Sequence, residues 1–308
     1  MQLLCKQGVA LLATLLLSAC AAPQTRALLA EPAGRPTPLE LSRVPFHAQT
    51  EHQCGPAALA MLLNDAGVAV SPEALTPQVF VPGREGSLAI EMLAAVRRYD
   101  RVAYRIPPRL DAALDQVAQG RPVLLLQNLS LPISPLWHYA VLIGYDLAQR
   151  QAILRSGITE RELMPLDTLE HTWARGDFWA MVVVAPEQIP DFVTPTEAQR
   201  QALALERIGR HAAARALYAA IVARWPDQPL ARFGLGNMAY QLGDLRAAEA
   251  AWLPLTELAG GQYAWWHNLI ELYLEQGRRA EALALWQRAQ QRWPAQPELA
   301  ELRPRLQP

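Results

Sequence analysis

The chain has 308 residues, 51% of them hydrophobic, with 28 basic and 29 acidic residues and a formal net charge of −1. That supplies apolar material for two domains with cores and excludes a disordered protein, while the balanced charge offers no field for nucleic acid or for anionic lipid. Lys6 is the only lysine, so a chain shorn of its leader has no means of Schiff-base chemistry, a Ser-Lys dyad or a P-loop lysine.

Residues 1–19 join Lys6 to an apolar run and end in small residues. The run is too short to span a bilayer of roughly 30 Å as a lasting helix, and it predicts a signal peptide. Leu17-Ser18-Ala19-Cys20 resembles a bacterial lipobox. The resemblance implies cleavage before Cys20, a diacylglycerol on its sulfur and attachment to the membrane through lipid alone. Ala21 stands where an aspartate would act as an inner-membrane retention signal, so the expected location is the cell envelope, at the outer membrane facing the periplasm. Residues 20–40, rich in Ala and Pro, are expected to form a flexible tether.

The chain has three cysteines. Cys5 leaves with the leader and Cys20 is modified, so Cys54 stays free as a buried structural thiol, a metal ligand without company, or a nucleophile. No CxxC pair or HExxH motif is present, and neither a metal nor a cofactor is expected.

Residues 41–190 mix short helices with β-rich runs. Cys54-Gly55-Pro56 opens an apolar helix that stops at Gly67, which places the thiol at a helix N-terminus, where free amides and the macrodipole lower its pKa. Gln49, five residues earlier, is placed to donate to an oxyanion beside the sulfur. Gly120–Asn128 and Trp137–Tyr145 read as strands, the second beginning at His138, the candidate base. A turn at 146–150 leads to a third strand, 151–156, and the resulting hairpin sets His138 near residues 156–158. Gln127 and Asn128 end their strand close by and are candidates for lining the cleft. His52 is read as facing solvent, and His47, His171, His211 and His267 stay unassigned.

The segments from Gln49 through Cys54-Gly55-Pro56-Ala57-Ala58, Gly86-Ser87-Leu88 and His138-Tyr139-Ala140-Val141 resemble the papain-like peptidases of the bacteriocin-leader-processing type over residues 44–186. The resemblance implies an α+β papain-like domain with Cys54 as nucleophile, His138 as base and Gln49 as oxyanion donor, acting on a peptide or protein. The family usually has Asp-Pro after the histidine strand. Here Ser156 occupies the aspartate slot, so the third member is Ser156 or, as the nearest carboxylate in sequence, Asp146. The expected activity is cysteine peptidase or amidase; the alternatives are a catalytically silent adaptor and an acyltransferase.

Residues 191–308 are helical and repeat at 34 residues, marked by Gly209, Gly243 and Gly277, by Ala214, Ala248 and Ala282, and by Tyr218, Trp252 and Trp286. The pattern resembles the tetratricopeptide repeat and implies an all-α array of about three units. Its groove is expected to take a peptide or protein partner, or the array serves as a spacer. Trp265 and Trp266 point about 100° apart on a helix, so one of them is expected at the groove or an interface. Arg278 and Arg279 are expected in solvent.

Overall fold

The computed structural model describes residues 22–49, 53–84, 86–259 and 261–306. The leader, Cys5, Lys6, Cys20 and His52 lie outside them. The chain divides into two compact units, the first reaching Val184 and the second running from Ala185, with residues 100–102 grouped with the second. The break falls six residues before the expected 190/191 boundary.

The first unit runs α1 (Pro23–Ala30), β1 (Leu39–Glu40), α2 (Cys54–Asp65), α3 (Pro72–Val79), β2 (Phe80–Val81), β3 (Gly86–Ser87), α4 (Ala89–Arg97), β4 (Val102–Arg105), α5 (Leu110–Ala118), β5 (Val123–Asn128), β6 (Trp137–Asp146), β7 (Gln151–Ser156), β8 (Thr159–Pro165), α6 (Leu166–Ala174) and β9 (Ala180–Val184). One sheet is ordered β4-β9-β5-β6-β7-β8, and β1 pairs with β6. β5, β6, β7 and β8 are joined antiparallel. Val123, Leu124 and Leu125 and the run Ala140–Ile143 are fully buried, as a strand covered on both faces requires. Helix α2 is buried at every position from Gly55 to Leu63, which explains its continuous apolar sequence.

The expected tether at residues 20–40 is corrected from residue 22 onward. Helix α1 has no side-chain cap of its own. Its first turn is capped instead by Glu170 of α6, which is 3% exposed and accepts from the amides of Gln24 at 3.0 Å and Thr25 at 2.6 Å. Gln24 in turn accepts from Leu110 N at the start of α5, and Arg35 pairs with Asp115 at 2.7 Å. The Ala- and Pro-rich composition misleads here because every partner lies 80 or more residues away. Glu170→Ala leaves two amides without an acceptor, so it should lower stability by about 1–3 kcal/mol in urea denaturation. Unchanged stability would mean that α1 does not rest on this carboxylate.

The second unit contains α7 (Pro195–Arg207), α8 (His211–Arg224), α9 (Pro229–Gln241), α10 (Leu245–Trp252), α11 (Tyr263–Glu275), α12 (Arg279–Arg292) and α13 (Pro297–Leu306). Gly209, Gly243 and Gly277 have φ of +73°, +76° and +71°, the left-handed conformation a side chain disfavours. Each lies in the turn between two paired helices. Ala214, Ala248 and Ala282 are fully buried at the crossings.

One expectation is overturned in this unit. Trp265 and Trp266 are both 3% exposed and sit in one apolar cluster with Trp252, Leu285, Trp286 and Leu299. Helix α11 packs against both α10 and α12, so the sides that carry Trp265 and Trp266 are both covered, while His267, Asn268 and Glu271 line the groove. Arg278 is one-third exposed, as expected for a residue in solvent, but it is also held in place: it bonds Glu249 and Glu281 and lies 4.3 Å from the centroid of the Tyr273 ring. Arg279 is exposed.

Candidate active site

Cys54 is the first residue of α2, so its amide and that of Gly55 are left over by the helical hydrogen-bond ladder. Both turn to the sulfur, and they are joined there by the amide of Tyr139, the residue after His138. Gly55 is required at this point because any Cβ would strike Ser87 of β3. Tyr139 fixes the same junction from the other side, its hydroxyl donating to Ser87 O at 3.2 Å. Burial outweighs the three amides and pushes the thiol up from the ordinary cysteine value. This corrects the expected depression: the helix terminus is present, but desolvation of the thiolate is the larger effect.

His138 is the second residue of β6. Its Nε2 lies 3.0 Å from Ser156 Oγ at the end of β7, so the hairpin brings the imidazole and the hydroxyl together. With Nε2–H donating to Ser156, Nδ1 keeps its lone pair for a proton from a thiol. Burial lowers the His138 pKa, and the charge of Glu162 on β8 partly opposes this. Both shifts favour the neutral form, a thiol at Cys54 and an imidazole at His138. Glu162 was not foreseen: it comes near through the pairing of β8 with the Ser156 strand, which the structure shows.

Gln49 is buried, with its backbone amide bonded to Gly157 O at 3.0 Å and its Nε2 donating to Tyr139 O at 3.4 Å. Tyr139 thus presents its N–H to the sulfur and its carbonyl to Gln49. Asp146 is excluded as the orienting group. It lies eight residues along β6 from His138, roughly 26 Å at the rise of a strand, and its Oδ1 accepts from Gln149 N within its own turn. Gln127 and Asn128 do not line the cleft. Gln127 sits opposite His138 in register but donates to Thr172 Oγ1 of α6 at 2.6 Å. Asn128 accepts from the amides of Ser130 and Leu136. His47 bonds Asn64 at 2.8 Å, the Nε2 of His171 is buried without a partner, and His211 and His267 line a groove of the second unit.

Residues 41–175 match the model of the Peptidase_C39 like family. That stretch contains Gln49, Cys54, His138 and Ser156. The first unit is also similar to three crystal structures: a protein described as a C39-like peptidase from Bacillus anthracis (20% identity, 48% of this chain and 98% of that one, TM-score 0.41), a double glycine motif protease from an AMS/PCAT transporter in complex with the leader peptide (22%, 48% and 96%, 0.36), and the peptidase domain of Streptococcus ComA (16%, 46% and 96%, 0.36). No curated protein matches the chain.

The upward shift of the thiol has a direct consequence for labelling. Alkylation of Cys54 by chloroacetamide should be slow at pH 6 and should rise steadily with pH beyond the ordinary cysteine range, because the thiolate is the reacting form and burial disfavours it. A plateau near pH 6 that vanishes in His138→Ala would show instead a preformed thiolate–imidazolium pair.

Proposed function

We propose that this chain is a lipid-anchored cysteine peptidase of the bacterial envelope in which Cys54 is the nucleophile, His138 the general base, Ser156 the positioning partner of the imidazole and Gln49 the oxyanion donor. The observation that supports it best is the convergence at one strand end. Backbone amides from Cys54, Gly55 and Tyr139 surround the sulfur, and the histidine preceding Tyr139 is hydrogen-bonded to Ser156.

The thiol proton passes to His138 Nδ1, and the sulfur bonds to the substrate carbonyl carbon. The carbonyl oxygen takes the negative charge beside the Gln49 amide and the Cys54 N–H. As the C–N bond breaks, the amine leaves with the proton from His138. A water then loses a proton to the imidazole and adds to the thioester; cleavage of the C–S bond releases the acid and restores the thiol. Ser156 holds the ring in place and, when it accepts from Nε2–H, leaves Nδ1 free to take the proton, but it adds no charge, so the imidazolium is stabilised less than a carboxylate would allow.

We further read the second unit as a tetratricopeptide array that recruits a peptide or protein. Its groove of about 770 Å³ is lined by Asn237, His267, Asn268, Glu271 and Glu275 among others, and Asn268 donates to Asn237 at 3.1 Å, which leaves amide edges to meet an extended backbone. Anchoring rests on the lipobox at Cys20.

A silent adaptor is the second reading, supported by the uncharged Ser156 together with the burial that favours the neutral thiol and imidazole. The two part in one experiment. The full chain is incubated with a mixed peptide library and new termini are read by mass spectrometry, beside Cys54→Ala. Cleavage by wild type alone supports the peptidase, and cleavage by neither leaves the adaptor.

A further inference from the structure

The loop from β5 to β6, Leu129-Ser130-Leu131-Pro132-Ile133-Ser134-Pro135-Leu136, carries no charge, and its large side chains point outward. Ile133 at the tip is 91% exposed, Leu131 66% and Leu136 59%, while Trp137 at the base is half exposed. Ile158, in the turn beside Ser156, is also largely exposed at the same end of the sheet. The backbone beneath these side chains is closed on itself. Asn128 Oδ1 accepts from Ser130 N and Leu136 N, Leu129 N bonds Leu136 O and Ser134 N bonds Leu131 O, and the two prolines have no N–H. Four of the loop's six amides are thus satisfied internally, which removes much of the cost of placing a turn in an apolar medium.

We propose that this loop is a lipid-contacting tip: Leu131, Ile133 and Leu136 enter the acyl boundary of a bilayer and Trp137 sits at the headgroup level.

Three features favour lipid over an apolar peptide. The side chains project from a closed turn and present a convex tip, whereas a peptide needs a depression or a free strand edge. A tryptophan at the base matches the wet–dry boundary of a membrane. Arg175, whose Nε donates to Asn128 O at 3.0 Å, puts a cation at the depth of headgroup phosphates.

Helix α6 also meets the start of α1. Glu170, which caps α1, and Arg175 are five residues apart on α6 and its end, about 7.5 Å along a helix. Cys20 is two residues before Ala22, no more than about 7 Å of chain. A lipid on Cys20 would hold the chain at a membrane, the surface this loop is proposed to enter.

The test uses the whole chain with vesicles of phosphatidylethanolamine and phosphatidylglycerol whose acyl chains are brominated, which quenches tryptophan on contact. The leader contains no tryptophan and Trp137 is one of nine in the chain. Wild type should therefore lose about a ninth more of its emission than Trp137→Phe does, relative to unbrominated vesicles. The double variant Leu131→Asp/Ile133→Asp should fall to the Trp137→Phe level with an unchanged far-UV spectrum. Equal quenching of wild type and Trp137→Phe overturns the proposal, and so does failure of the chain to float with vesicles. Flotation with equal quenching keeps the anchor and returns the loop to a peptide-docking role. None of these readouts depends on peptidase activity.

Discussion

Cys54→Ala should leave the chain folded and reduce amide hydrolysis by about 10⁴-fold or more, because no other nucleophile is placed at the start of α2 and loss of the attacking atom removes the covalent route entirely. Alanine fits the site without strain, since the thiol contributes no packing that a methyl group cannot supply at a helix start whose neighbours Gly55 and Ser87 already touch. His138→Ala should cost nearly as much, as the two groups act as one unit and their losses do not add. Ser156 behaves differently. A neutral hydroxyl bonded to the imidazole contributes about 0.5–1.5 kcal/mol, so Ser156→Ala should lower kcat by roughly threefold to tenfold. Ser156→Asp supplies the charge that favours the imidazolium and should raise kcat. The measurement is kcat against a cleaved peptide for the four variants with circular dichroism as the folding control. A loss in Ser156→Ala as large as in His138→Ala would show that the hydroxyl does more than orient the ring.

The largest loss of stability is expected at Trp252. Its side chain is 2% exposed, its Nε1 donates to Phe233 O at 3.2 Å, and its ring lies 6.4 Å from that of Phe233 and 5.9 Å from that of Tyr240. Helix α9 has Gly236 opposite because a Cβ there would strike the indole. Trp252→Ala therefore opens a cavity that the facing glycine cannot fill, and it should cost about 3–5 kcal/mol. For a unit of this size that is a large part of total stability and should lower its melting temperature by roughly 10 °C or more. Calorimetry with the helical signal followed in parallel checks this; a shift of only a few degrees would mean that the array collapses around the gap. Gly236→Ala should also destabilise, by overpacking the same contact.

The sequence by itself determined what depends on neighbours along the chain. The apolar run after Cys54-Gly55-Pro56 sets a helix start at the thiol, and two β-rich runs joined by a five-residue turn set the hairpin that carries His138 to Ser156 at 3.0 Å. The 34-residue spacing of Gly209, Gly243 and Gly277 marks three left-handed turns. These features are legible because helix stops, strand alternation and turn chemistry act within a few residues.

Only the tertiary structure decided what depends on partners far away. The thiol at Cys54 is one case: the helix terminus is visible in the sequence, but the burial that outweighs it comes from the packed domain around α2. Glu170, 145 residues from Thr25, turned an expected tether into a capped helix. Trp265 and Trp266 both became core because α10 and α12 pack against α11. Gln127 and Asn128 were drawn away from the cleft by α6 and by their own loop. Desolvation and cross-strand partnership are properties of the packed volume around a residue, and no window of the sequence contains that volume.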